Sequence, residues 1–441
     1  MDKAVERVVE AISRKEKILL YGDYDVDGTT CVALMYSFLK DVGVAEYVDY
    51  YIPDRYKEGY GISYKGIDFA KENGHTLMIA MDCGITAVDK VARANEYGLD
   101  VIICDHHLPG SVLPKGIAVL DPKRSDCEYP YKELSGCGVS FKLCQGITEV
   151  MDLEEDIWMR LLDLLVISTG CDIVEIRGEN RILAHYGLKR INEGKARTGI
   201  KALIGISKKE LPFSVTDIVF GLGPVINAAG RISDAKDAVR LLLEEDGTEA
   251  LAQAELLMEM NLERRKFEKG ITEEAINLHE SNPMRKEQKS IVLHQEHWHK
   301  GVVGIAASKM VDKFHRPTIL LTGNKDMAVG SARSVRGFDI HFAIHECRHL
   351  LHNFGGHKYA AGLSIPKKNL PAFKELFEKV VSERITAEQL IPEIPVSAEL
   401  HLNDVNPKFW NLLKQFSPFG PGNRRPIFHS KGVRDSGYSK V

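Results

Sequence analysis

The stretch KILLYGDYDVDGTT, Lys17 to Thr30, carries an apolar run, Ile18–Tyr21, straight into three aspartates at alternate positions, Asp23, Asp25 and Asp27. An uninterrupted apolar run of this length reads as a strand buried on both faces, the kind found in parallel sheets. Three carboxylates at its end repel one another, so something must offset their charge, and a cation is the direct candidate.

The pattern repeats outward from this stretch. YVDYYIP, TLMIAMDCG, VIICD and GIAVLD read as further strands. Between them, a helix from about Thr29 to Asp41, ISYKGIDFAKENG and TAVDKVARANEYG have helical spacing. Buried strands alternating with amphipathic helices predict an α/β fold with a parallel sheet, whose site lies at the carboxyl ends of its strands. The acidic residues fall there: Asp25 and Asp27 after the first strand, Asp82 at the end of the third and Asp105 at the end of the fourth.

Helical patterns dominate from Gly138 to about Lys201, and a long glycine-poor helix is expected over 248–281. Leu256, Met260, Phe267 and Ile271 are its expected apolar face, and Asn282-Pro283 its stop. A second α/β pattern follows, with KSIVLHQ, PTILLTG and MAVGSAR as strands and VVGIAASKMVDKF and FDIHFAIHECRHLLHNF as helices. The expected division is 1–245 as a catalytic metal-binding domain, 246–284 as a connecting helix, 285–415 as a smaller α/β substrate-binding domain, and 416–441 as the start of a further, truncated unit. The chain is therefore expected to be a piece of a longer protein.

The 441 residues are 44% hydrophobic, enough to bury a sizeable core, and carry a formal net charge of -4. That charge neither indicates nor excludes a nucleic-acid partner, since a local basic groove matters more than the sum. No signal peptide or membrane-length apolar run is evident, and the eight cysteines form no CxxC pair. Cys83, Cys104 and Cys171 read as small buried hydrophobes in a reducing, cytoplasmic compartment.

Asp23, Asp25, Asp27, Asp82, Asp105, His106, His107 and Asp172 each end an apolar run. Carboxylates and imidazoles converging at one sheet edge suit two divalent ions, Mn²⁺ by the mixed N/O donors, with Mg²⁺ as the alternative. A calcium loop of EF-hand type is disfavoured because the motif follows a strand and its closing position is apolar. Any one of these aspartates alone could simply cap a helix. The HExxH match at His345–His349 is read as part of an amphipathic helix rather than as a zinc site.

Together GDYDVDGTT, IPDRYKEGYG, DCG, DHH, INAAGRI, WHKGVVGIAASK, GSARSVRGFDI, FGGHKYAAG and PFGPGN resemble the DHH phosphoesterase superfamily, and within it the bacterial RecJ-type single-strand-specific exonucleases. The resemblance implies that Asp25 and Asp82 hold one ion, with Asp23 alongside, and that Asp27, Asp82, His106 and Asp172 hold the other. Asp82 bridges, His107 faces the scissile phosphate, and Asp105 orients a histidine. Some superfamily members have a histidine ligand where this chain has Tyr21, and Asp23 is the expected substitute.

Arg55, Arg231, Ser331, Arg333, Ser334, Gly355, Gly356 and His357 are the candidate substrate-binding residues. Gly355 and Gly356 are expected in a loop forming an anion nest, and the Ser331–Arg336 cluster suits phosphate. The resemblance further implies 5′→3′ digestion of single-stranded DNA to mononucleotides in DNA repair and recombination, and an interdomain cleft too narrow for duplex. It implies a monomer, with a single-strand-binding protein or helicase as partner and no membrane. It also implies an oligonucleotide-binding barrel after Val441, so this chain is expected to be a catalytic core lacking it. An oligoribonuclease, a cyclic-dinucleotide phosphodiesterase, a pyrophosphatase and a non-catalytic nucleic-acid-binding relative remain open.

Overall fold

The computed structural model describes residues 1–323, 326–434 and 437. The chain forms two compact units, Met1–Asn261 together with Val396–Val441, and Leu262–Pro395. Among the described residues no helix is long and apolar enough to cross a membrane.

The first unit is α/β. Helix α1 (Asp2–Arg14) precedes β1 (Ile18–Tyr21), α2 (Val26–Asp41), β2 (Val48–Tyr51), α3 (Tyr64–Glu72), β3 (Leu77–Met81), α4 (Val88–Glu96), β4 (Asp100–Cys104) and β5 (Ala118–Leu120). All five strands are parallel, in the order β2-β1-β3-β4-β5. The strand alternation divides the core. Ile18, Leu20, Leu77, Ile79 and Met81 join the cluster containing α1, α2 and α5 (Gly136–Val150), whereas Leu19, Tyr21, Met78 and Ala80 join Ile67, Val91 and Ala94 of α3 and α4. Order 2-1-3-4-5 reverses its direction of growth between β1 and β3, and the crevice at such a reversal is where open α/β sheets bind ligands. Asp23 stands two residues after β1, and Asp82 directly after β3.

Helix α2 starts earlier than its apolar pattern indicates, at Val26, because Asp25 caps it by accepting from Gly28 N at 3.1 Å. Gly28 has no room for a side chain: a Cβ there would lie 2.4 Å from the Asp23 carbonyl oxygen. The chain thereby folds Asp23, Asp25 and Asp27 into one turn.

The helix Gly247–Glu280 buries a face that only partly matches the one expected. Ala250, Ala254, Leu257, Asn261, Arg264, Glu268, Ile271, Ala275 and His279 are inside, while Leu256 and Phe267 are exposed. Small residues and a buried ion pair occupy the stripe, Arg264 Nη1 donating to Glu268 Oε2 at 2.6 Å. Ile271 is buried as expected and Met260 packs against the core, so apolar spacing placed the stripe correctly at these two positions and wrongly at Leu256 and Phe267.

The second unit holds a mixed sheet in the order β6-β7-β8-β10-β9: β6 (Ile291–His294), β7 (Thr318–Thr322), β8 (Met327–Arg333), β9 (Asn353–His357) and β10 (Ala360–Pro366). Only β6 and β7 pair parallel. The helix expected through Phe354 stops at Glu346, since Cys347 ends it and a 3-10 turn follows. Asn353–His357 instead becomes an edge strand, with Gly355 opposite Gly362 and Gly356 opposite Ala361. The FGGH segment is thus one arm of a hairpin, not a nest-forming loop. A Cβ on Gly356 would lie 2.4 Å from Ala360 O, so glycine there serves close backbone approach.

Candidate metal centre

Asp27 is the most firmly held of the carboxylates. It lies in the first turn of α2, 2% exposed. Its Oδ2 accepts from Gly136 N at 2.7 Å, and its Oδ1 from Cys137 N at 3.0 Å and Ser168 Oγ at 2.6 Å. The N-terminus of α5 therefore aims two main-chain N–H groups at it, an arrangement that favours negative charge. Cys31 Sγ lies 3.8 Å from Oδ1, and burial pushes its thiol well above the usual range. Cys31 is accordingly a neutral packing group beside Asp27, not a soft metal ligand. All eight cysteines are free.

Asp82 follows β3 in the left-handed region, φ 59°, with its N–H on Cys104 O at 2.8 Å. Asp172 ends the helix Leu162–Cys171. His106 Nε2 lies 3.3 Å from Asp82 Oδ1, 3.5 Å from Asp172 Oδ2 and 3.8 Å from Asp27 Oδ2. Burial holds the His106 imidazole down at about 4, against the pull of Asp27, so at neutral pH its Nε2 offers a lone pair once Nδ1 carries the proton. Burial, then the neighbouring carboxylates, pushes Asp23, Asp25, Asp82 and Asp172 up.

These groups fall into overlapping sets whose donor atoms lie within 4.8 Å of one another: Asp23, Asp25 and Asp82; Asp27, His106 and Asp172; and Asp82, His106 and His107. Asp23 Oδ1, Asp82 Oδ1, Asp172 Oδ2 and His106 Nε2 are buried with no hydrogen-bond donor or acceptor among the described residues. Buried polar atoms are otherwise nearly always satisfied. Orphaned carboxylate oxygens around a neutral imidazole fit divalent cations in number and kind. Tyr21 takes no part. It lies in the core on the other face of β1, where its hydroxyl donates to Gly61 O at 3.0 Å and accepts from Ser63 N at 3.0 Å.

Asp105 serves His107. Its Oδ1 accepts from His107 Nδ1 at 2.7 Å and from the main-chain N–H of His106 and His107; its Oδ2 accepts from Ile85 N at 2.9 Å. Burial opposes the Asp105 charge, but the His107 hydrogen bond and charge outweigh it and hold the carboxyl below its usual range. Burial likewise opposes a charged His107, and the Asp105 hydrogen bond and charge outweigh it and raise the imidazole. The His107 side chain is 44% exposed, the most open of the group.

Two neighbours escaped the sequence reading. Tyr60 Oη lies 3.2 Å from each His107 ring nitrogen and donates to Asp82 O at 3.1 Å. Asp121 stands beside Asp105 at the end of β5, 3% exposed, its pKa pushed to about 6 by burial and then by Asp105. The signal for Asp121 was present, because AVLD repeats the pattern of an apolar run ending in aspartate.

The expected substrate residues are divided between the units. In the first, the Arg55 guanidinium sits 4.4 Å from the Tyr24 ring centre, and Arg231 lies at the end of the helix Gly223–Ile232. In the second, Arg333 Nη1 donates to Ser331 Oγ at 2.6 Å, and both side chains lie against Gly304 near the start of the helix Val303–Phe314. Ser334 Oγ donates to Phe338 O at 2.8 Å, which commits its proton within the loop. Gly355, Gly356 and His357 lie on the edge strand β9. His345 and His349 share no helix, and among the described residues no metal-binding group contains them.

The chain matches three domain families: the DHH family, N-terminal domain, over residues 17–169, the DHHA1 domain over 287–383, and the RecJ OB domain over 396–441. The last match corrects the expectation of a chain without that domain, since its sequence begins upstream of Pro418 and within this chain. The single-stranded-DNA-specific exonuclease RecJ of Bacillus subtilis is 41% identical over 429 residues, covering 97% of this chain and 53% of that protein. The exonuclease of the same name from Salmonella typhimurium is 35% identical over 448 residues, covering 98% of this chain and 78% of that protein. The crystal structure of RecJ from Thermus thermophilus in complex with Mn²⁺ superposes with a TM-score of 0.85 at 29% identity, covering 97% of this chain and 61% of that one.

Proposed function

The chain belongs to the RecJ family of DHH proteins, and from that premise we propose that it is a two-metal phosphodiesterase digesting single-stranded DNA from the 5′ end to mononucleotides. The observation that carries this reading is the overlap of donor sets at the β1/β3 reversal, with four orphaned buried atoms among them. Asp23, Asp25 and Asp82 would hold one ion, and Asp27, His106 and Asp172, with Asp82 shared, the other. Mn²⁺ suits the mixed donors best and Mg²⁺ is the alternative. Bound there, such a pair makes water a nucleophile near neutral pH and neutralises charge on a phosphoryl oxygen.

The protein's own groups do the rest. Gly136 N, Cys137 N and Ser168 Oγ fix the Asp27 carboxylate in one orientation, as supporting shells of metal ligands do. Asp105 holds His107 by Nδ1, which favours the charged imidazole and turns its Nε2 toward use by a phosphoryl oxygen. Arg55 and Arg231 in the first unit, and Ser331 and Arg333 in the second, would donate to phosphates. Such contacts carry no base information, so little sequence preference follows. Residues 1–245 would form the catalytic region, 246–284 the connecting helix, and the region from 285 the substrate-binding part. The enzyme would act as a cytoplasmic monomer in repair and recombination, behind a helicase or single-strand-binding protein that exposes its substrate.

The test is digestion of 5′-labelled and 3′-labelled single strands, with and without Mn²⁺, beside a duplex control. Early release of labelled mononucleotide from the 5′ end alone, confined to single strands and dependent on metal, is the expected result. Cleavage of only di- and tri-ribonucleotides or cyclic dinucleotides would overturn it.

A further inference from the structure

Asp172 occupies a weakly supported place in the fold. It ends the helix Leu162–Cys171, and the next residue, Ile173, sits at φ 63°, in a region that β-branched side chains seldom adopt. Residues 173–177 then belong to no helix or strand before the helix Gly178–Asn192 begins. Something outside the segment must hold its backbone, because an irregular stretch has no ladder of its own.

Tyr131 Oη and Asn180 Nδ2 donate to Glu175 O at 3.1 and 3.0 Å, and the C-terminal loop Phe416–Asn423 supplies the hold at Ile176 and Arg177. The loop is closed on itself: Asn423 Nδ2 donates to Phe416 O and Pro418 O, both at 2.8 Å, and Gly420 and Asn423 exchange main-chain hydrogen bonds at 3.0 and 3.1 Å. Its carbonyl groups then point at the segment after Asp172. Ile176 N donates to Pro421 O at 2.7 Å, Arg177 Nε donates to Gly422 O, and Arg181 Nη2, in the helix that follows, donates to Ser417 O at 3.3 Å. The packing is equally close. Ile176 is fully buried, and a Cβ on Gly420 would lie 2.4 Å from its Cγ1. Gly422 holds φ 71°, which lets the loop turn against Arg177. The glycines of FGPGN therefore have a stated purpose: they bring a carbonyl-lined turn against Ile176 and Arg177.

We propose that the loop Phe416–Asn423 is a positioning element of the metal centre, fixing Asp172 by bracing the backbone at Ile176 and Arg177. The proposal rests on the reading of Asp172 as a ligand of the second ion. One loop of the segment matched by the RecJ OB domain thereby sets a carboxylate of the catalytic site. Arg424, whose side chain is exposed, lies just outside the brace and takes no part in it.

The test uses the 441-residue chain and four variants: Asp172→Ala, Arg177→Ala, Gly420→Ala and Arg424→Ala. Free Mn²⁺ is followed by electron paramagnetic resonance during titration in the absence of DNA. Circular dichroism reports the fold, and kcat and KM are measured on single-stranded DNA. Wild type is expected to bind two ions and Asp172→Ala to lose one. Arg177→Ala and Gly420→Ala are expected to weaken that same ion by about tenfold or more, as removal of a ligand's support does. Their kcat falls while KM and the circular dichroism spectrum stay at wild-type values, and Arg424→Ala matches wild type. Should wild type bind fewer than two ions, or Asp172→Ala keep both, the two-ion reading fails and the brace with it. Should Asp172→Ala lose an ion while folded Arg177→Ala keeps both at wild-type affinity, the brace alone is overturned. Arg177 is exposed, so that variant decides the matter even if Gly420→Ala does not fold.

Discussion

Replacing Gly136 by alanine adds one methyl group where the donor sets meet. The new Cβ would lie 2.6 Å from Asp82 Cβ and 2.8 Å from Asp82 Oδ1, against an ordinary contact of 3.4–4 Å. Close to 1 Å of movement is therefore required. Asp82 cannot yield freely, because its N–H is held by Cys104 O at 2.8 Å and its backbone is already left-handed. If α5 yields instead, Gly136 N and Cys137 N withdraw from Asp27, at present 2.7 and 3.0 Å away. Either way a carboxylate is displaced, and a misplacement of about 1 Å costs on the order of 10²-fold in rate. Overpacking costs about 1–3 kcal/mol of stability, and as Gly136 is the first residue of α5 the interior helix preference for alanine offsets little of it. Gly136→Ala should thus fold, melt a few degrees lower, and digest 5′-labelled single-stranded DNA in Mn²⁺ about a hundredfold more slowly. A folded variant with kcat within about threefold of wild type would refute the argument that these two carboxylates need this spacing.

Asp82→Ala removes the carboxylate proposed to serve both ions, and cleavage should fall to less than about a tenth of the wild-type rate in a quench assay with saturating Mn²⁺. The contribution of Asp23, Asp82 and Asp172 to the stability of metal-free protein should fall as pH rises above the ordinary carboxylate range, because these groups bind protons more tightly folded than unfolded; thermal melts without metal check this, and Mn²⁺ should raise the melting temperature more at the higher pH. Binding of single-stranded DNA by Asp82→Ala protein should weaken steadily between about 50 and 200 mM salt through counterion release, and a flat fluorescence-anisotropy titration would argue against phosphate-led binding.

Strand ends were legible because the chemistry there is local. Asp23, Asp82 and Asp105 each stand directly after a buried run, so a reader of the sequence meets the charge and its setting together. The groups that orient Asp27 were not legible, since Gly136, Cys137 and Ser168 lie 109 to 141 residues away and two of them act through the main chain. Tyr60 escaped for a related reason: its role depends on where a loop returns, which composition does not encode. The edge strand at Asn353–His357 was hidden by its own glycines, which suit a loop as readily as a strand until pairing with β10 selects the strand. The buried face of Gly247–Glu280 was partly misread because alanine and a paired arginine and glutamate fill positions where larger apolar side chains were sought.

The first unit is discontinuous in the chain, with Leu262–Pro395 inserted between Asn261 and Val396. A ribosome makes these parts in order. Every acidic side chain of the centre has emerged by Asp172, whereas the turn that meets Ile176 and Arg177 is translated only after the whole inserted unit. At typical bacterial elongation speeds that interval is on the order of ten seconds. Throughout it the nascent chain carries the acidic residues of the site without the turn that meets Ile176 and Arg177, and that turn of glycines and prolines is among the last parts of the unit to be made.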